Sequence, residues 1–137
     1  MSRPQVQSSV SKLSATGTIL IVADNHDLSE WIVDVLDKAS YLVQRVANGA
    51  DSIDIPLDDV QLAMLIGSDP LWIEQACAIV RQRARNLAVM ILGPNNFEAK
   101  VRLFDIGADA YLAEPFVPEE ILARITSLIR IYRRKVS

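Results

Sequence analysis

The chain has 137 residues, half of them hydrophobic, which suits one domain with a real core. Seventeen acidic residues against fourteen basic ones leave a net charge of −3, mixed along the chain, which argues against a basic nucleic-acid-binding face. The one cysteine, Cys77, excludes an internal disulfide and a cysteine-rich zinc site, and no apolar run approaches the roughly 20 residues of a membrane span.

Residues 1–17 are rich in Ser and Gln, without an apolar period, and read as a disordered leader. The domain is expected over 18–137. The N-terminus lacks the apolar stretch of a signal peptide, so a cytoplasmic location is the expectation. Thr18 to Ala23 is a continuous apolar run, as in a strand buried on both faces. Leu28, Trp31, Ile32, Val35, Leu36 and Ala39 then recur at helical spacing, with Trp31 expected to face the core. Tyr41 to Val46 reads as a second strand and Asn48-Gly49 as a turn. A short, weak second helix is expected before Pro56.

Gln61 to Ile66 is the third strand, and Ile73, Ala76, Cys77 and Val80 mark the third helix. Cys77 sits in that apolar repeat as a small core residue. Ala88 to Leu92 is the fourth strand, broken by Gly93-Pro94. Phe97, Val101 and Phe104 suggest a fourth helix, Asp109 to Ala113 a fifth strand, and Ile121 to Tyr132 a last helix entered after Pro118. Its end is basic (Arg130, Arg133, Arg134, Lys135), which suits the negative end of the helix dipole. Strands alternating with helices imply an α/β fold with a parallel sheet covered on both faces. The flavodoxin-like order 2-1-3-4-5 is the natural choice, with its site at the carboxyl ends of the strands.

Several stretches carry a family resemblance. Gly107-Ala108-Asp109-Ala110-Tyr111-Leu112-Ala113-Glu114-Pro115-Phe116 is similar to G-A-D-D-Y-L-x-K-P-F. Ile19-Leu20-Ile21-Val22-Ala23-Asp24-Asn25 resembles I-L-I-V-D-D-N. Tyr41-Leu42-Val43 with Asn48-Gly49, the third strand with Pro70, Val89 to Gly93, and Glu119 to Ile125 resemble further motifs in the same order. Together they resemble a response-regulator receiver domain of the kind that precedes winged-helix DNA-binding domains, over about residues 18–134. The resemblance implies a phosphorylation pocket: two acids after strand one that hold Mg²⁺, an acceptor aspartate ending strand three, a Thr or Ser ending strand four and a Lys ending strand five.

The sequence departs at nearly every one of those positions. The first acid is Ala23, and Asp24 alone remains. The acceptor position falls on Ile66, and a shifted register gives Gly67 or Ser68. Asp69 is the nearest substitute acid. The Thr position is Gly93 and the Lys position Glu114, which repels a phosphoryl group. Mg²⁺ wants clustered oxygen ligands and a phosphoryl group wants cations and donors, so no aspartyl phosphorylation and weak metal binding are expected. Asp24, Asp27 and Glu114 are expected to cluster in the emptied acidic pocket. Tyr111 matches the family's switch aromatic, and Gly93 leaves room for its ring to turn inward.

The resemblance also implies homodimer pairing through the fourth helix, fifth strand and fifth helix. Lys100 and Glu120 match one ion pair of that surface. Arg124 matches the basic half of another, with Asp109 as its partner because the usual acid is Ala110. Exposed ion pairs contribute only about 0–1 kcal/mol each, so apolar help is expected from Val101, Phe104 or Ile121. The reading is a phosphorylation-independent signalling domain, not an enzyme and without a cofactor. It is expected to contact DNA only indirectly, through an output domain. A stand-alone adaptor or a small-ligand sensor is the alternative. Two remote readings share the topology. Asp24-Asn25-His26-Asp27-Leu28-Ser29 resembles a cobalamin-binding D-x-H-x-x-G with Ser29 for the glycine, and Trp31 or Trp72 suits flavin stacking, although Asp24 and Asp27 repel phosphate.

Overall fold

The computed structural model describes residues 17–24, 26–46 and 57–136. In chain order these form β1 (Thr18–Ala23), α1 (His26–Lys38), β2 (Leu42–Val46), β3 (Val60–Ile66), α2 (Pro70–Arg83), β4 (Ala88–Gly93), α3 (Phe97–Ile106), β5 (Ala110–Ala113) and α4 (Pro118–Val136). The expected turn at Asn48-Gly49 and the weak second helix lie outside the described residues, as does the leader apart from Gly17. The five strands form one parallel sheet in the order β2-β1-β3-β4-β5, which is the flavodoxin-like arrangement.

The sheet's period of two builds two cores. Leu20, Val22, Ala63, Leu65, Val89, Ile91 and Tyr111 point to one face, where they meet Ile73, Ala76, Cys77 and Val80 of α2 and Leu103 of α3. Ile19, Ile21, Leu62, Met64, Ile66, Met90 and Leu112 point to the other, against Ile32 and Leu36 of α1 and Ile121 and Ile125 of α4. Both faces are covered, so β4, and β3 past Gln61, run apolar rather than alternating.

Two helix faces differ from the sequence expectation. Trp31 is 38% exposed, because Ile32 and Leu36 already fill the space under α1. On α3 the buried residues are Ala99 and Leu103, so Phe97, Val101 and Phe104 form the outer face. Small Ala99 and Leu103 turn inward while the large residues stay outside.

Candidate functional site

The carboxyl ends of the strands bring the expected pocket positions to one edge. Ala23 pairs with Ile66, Ile66 with Leu92, and Gly93 with Ala113. Backbone hydrogen bonds hold the exits of these strands together. The Asp24 N–H donates to the Ile66 carbonyl at 3.1 Å, Gly67 to Leu92 at 3.1 Å, and Glu114 to Gly93 at 3.3 Å. Ile66, at the acceptor position, is fully buried on the α1–α4 side of the sheet. Glu114 is exposed, and the Glu114–Pro115 peptide is cis.

Side chains occupy the space over this edge. Tyr111 is 7% exposed, and its hydroxyl donates to the Pro94 carbonyl at 2.6 Å. A Cβ added to Gly93 would lie 2.7 Å from that hydroxyl and 3.3 Å from Ile73 Cδ1. Burial first, and the Glu114 carboxylate second, push the Tyr111 pKa up from its ordinary 10.0. A Cβ on Gly67 would meet Trp72 at 2.9 Å and the Asp24 carboxylate at 3.0 Å. Glycine at both positions therefore admits an aromatic ring where a larger residue would stand.

The acids do not assemble into a metal site. Asp24 Oδ2 accepts from the Ser68 N–H at 3.4 Å. Asp69 caps α2, accepting from Leu71 N–H at 3.1 Å ahead of Pro70 in the first turn. Among the described residues no group of three or more His, Cys, Asp or Glu could hold a metal, so Asp24, Asp27 and Glu114 form no metal site, although Asp27 and Glu114 line one cleft. Ala23 and Ile66 offer no side-chain oxygen beside Asp24. This donor set does not fit Mg²⁺, which needs several clustered oxygens.

No protein-family model matches the chain. A solved structure described as a response regulator, from Chloroflexus aurantiacus, superposes with a TM-score of 0.71 at 30% identity, covering 83% of this chain and 98% of that one. The chain belongs to the response-regulator receiver family. A CheY-like receiver domain protein of Methanospirillum hungatei shares the fold, with a TM-score of 0.77 at 20% identity over 87% of this chain and 98% of its own. Among curated proteins, transcriptional regulatory protein HprR of Escherichia coli is 32% identical over 117 residues, 82% of this chain. Transcriptional regulatory protein GltR of Pseudomonas aeruginosa is 33% identical over 125 residues, 86% of this chain. The receiver spans about half of each, 51%. No helix among its described residues is long and apolar enough to cross a membrane.

The receiver's expected pairing surface is partly exposed and partly committed inward. Lys100, Val101, Phe104, Glu120 and Arg124 are exposed on α3 and α4. Ile121 is fully buried and packs in the core, so it offers nothing to a partner. Asp109 does not await Arg124. Its carboxylate accepts from Arg81 Nη2 at 3.1 Å, Val89 N–H at 2.8 Å and the Tyr132 hydroxyl at 2.8 Å. Arg81 also donates to the carbonyls of Ala84, Arg85, Leu87 and Gly107. This clasp ties α2, β4, β5 and α4 together at the sheet end opposite the pocket.

Sequence reasoning missed Arg81, the packing of Trp72 against Gly67 and the capping role of Asp69. The Asp-Pro pair at 69–70 is a legible cap signal. Arg81 carries none, since one arginine in a helix repeat looks like any solvated charge.

Proposed function

We propose that this receiver signals by protein–protein contact without aspartyl phosphorylation. One observation carries the reading: Tyr111 lies buried against Gly93, with its hydroxyl bonded to Pro94 O at 2.6 Å, at a position where residue 93 has no hydroxyl to engage a phosphoryl group. Ala23, Ile66, Gly93 and Glu114 remove the second metal carboxylate, the nucleophile, the phosphate-binding hydroxyl and the cation in turn. Asp69 is occupied as a helix cap.

In this reading Tyr111 is the switch aromatic held in one state, and α3, β5 and α4 present the partner surface. Lys100, Val101 and Phe104 stand beside Glu120 and Arg124 there, and a second copy of the chain is the partner. None of the three charged residues has an ion-pair partner among the described residues. The setting is the cytoplasmic regulatory half of a two-component-type transcriptional regulator. DNA is reached only through an output domain, as the names of HprR and GltR suggest for proteins about twice as long.

The test is intact-mass analysis with light scattering, before and after acetyl phosphate or beryllofluoride with Mg²⁺. No adduct and an unchanged oligomer are expected. An added phosphoryl group, or a change of oligomer with beryllofluoride, would sink the reading, and Asp69→Asn would then identify the acceptor.

A further inference from the structure

We infer that the cleft between the first turns of α1 and the β5–α4 loop is a docking groove for an arginine-bearing segment of a partner protein. The cleft has a volume of about 510 Å³ and is lined by Asp27, Leu28, Trp31, Glu114, Pro115 and Phe116. Four of these are apolar and two are carboxylates. Trp31 shows 38% of its surface to solvent on a helix whose neighbouring apolar residues Ile32 and Leu36 are fully buried. The partly exposed indole and the unpaired acids give this face an apolar wall and negative charge together.

The charges on this face are unevenly matched. Glu30 is paired with Arg45 at 3.0 Å and Asp34 with Lys38 at 3.1 Å. Asp27 and Glu114 meet no Lys or Arg among the described residues. An acidic or phosphorylated ligand would be repelled here, and a cation attracted. A bare divalent ion lacks ligands, since no group of three donors forms. A guanidinium suits all six residues. Its planar face stacks on an indole, its fork donates to carboxylates, and its methylene stem lies along apolar surface. One arginine side chain does not fill the cleft, and both carboxylates stand at the surface. The occupant is therefore a stretch of chain lying across an open groove rather than a small enclosed ligand.

This inference does not rest on the phosphorylation reading, because the groove lies on α1 and the β5–α4 loop and Tyr111 is not among its walls. The test is a titration of the isotope-labelled full chain, followed by NMR, with the blocked peptide acetyl-Leu-Arg-Leu-Arg-amide. The control peptide carries neutral citrulline at both arginines. Saturable shifts are expected at the Trp31 indole and the Asp27 and Phe116 amides, with the citrulline peptide silent. Asp27→Asn and Glu114→Gln should each weaken binding about fivefold, Trp31→Ala about tenfold, and Glu98→Gln, an exposed acid outside the groove, should leave it unchanged.

Equal binding of the citrulline peptide would overturn the inference by leaving an apolar groove without charge selection. Equal binding of free arginine amide would overturn the segment in favour of a small cation. Shifts centred on Phe97 to Phe104, or no saturation, would overturn the site. A phosphoryl adduct in the mass experiment would sink the earlier reading and leave this titration untouched.

Discussion

An added Cβ on Gly93 would stand 2.7 Å from the Tyr111 hydroxyl and 3.1 Å from its Cζ, so residue 93 and the tyrosine ring compete for one volume. Installing the family's threonine tests which of them yields. Gly93→Thr should force the ring outward, break the 2.6 Å bond to Pro94 O, and cost about 1–3 kcal/mol through overpacking. Urea unfolding reads the cost, and the Tyr111 ring shifts in NMR read the displacement. A variant as stable as the parent, with Tyr111 still buried, would show that the two residues are not coupled. Tyr111→Phe separates hydrogen bond from packing, since it keeps the ring and should lose about 1 kcal/mol. A sequence could suggest room at Gly93, because glycine lacks the side chain. It could not show that Ile73 closes in from α2, since that depends on how the helix seats on the sheet.

Between elements, the clasp around Asp109 joins segments far apart in sequence. Arg81 from α2 and Tyr132 from α4 converge on one carboxylate beside Val89 of β4. Gly107 caps α3 with φ of 131°, and a Cβ there would meet Arg81 Nε at 3.0 Å, so only glycine suits both the turn and the guanidinium. Arg81 Nε is itself buried without a hydrogen-bond partner, so the arginine depends on the remaining bonds. Asp109→Ala should cost roughly 2–3 kcal/mol, below a fully buried pair because the two side chains keep 18% and 23% of their surface exposed. Hydrogen exchange should quicken in the last turns of α4 while α1 keeps its protection. Equal acceleration across all helices would mean general loosening, and the clasp would have no special hold on α4. The strands and α1, α2 and α4 were legible, because period-two and period-3.6 patterns are local. The clasp was not, since it depends on distances that only the packed fold sets. The motif G-A-D pointed Asp109 outward to Arg124, and the fold directs it inward to Arg81.

For the whole molecule, the two cores share one consequence for pH. Burial raises Tyr111 and Tyr132 above their ordinary 10.0 and lifts the Cys77 thiol from 9.0 to about 11. In each case the folded state holds its proton more tightly than the unfolded chain does. Their contribution is fully present below the unfolded values and is lost as pH rises through the raised ones. Stability should therefore be insensitive to these groups near neutrality and fall as pH climbs from about 9 to 11, the thiol's interval. Cys77→Ala should flatten the lower part of that fall, leaving the later tyrosine part, even if the smaller side chain lowers stability at every pH. Urea midpoints for both proteins, taken across the alkaline range, measure the difference in slope. Parallel curves would show that the buried thiol does not titrate with folding. The same burial predicts that a thiol reagent labels the native chain only as fast as it opens, and the unfolded chain at once. Fast labelling in the native state would place Cys77 outside the α2 core, and the alkaline argument would fail with it.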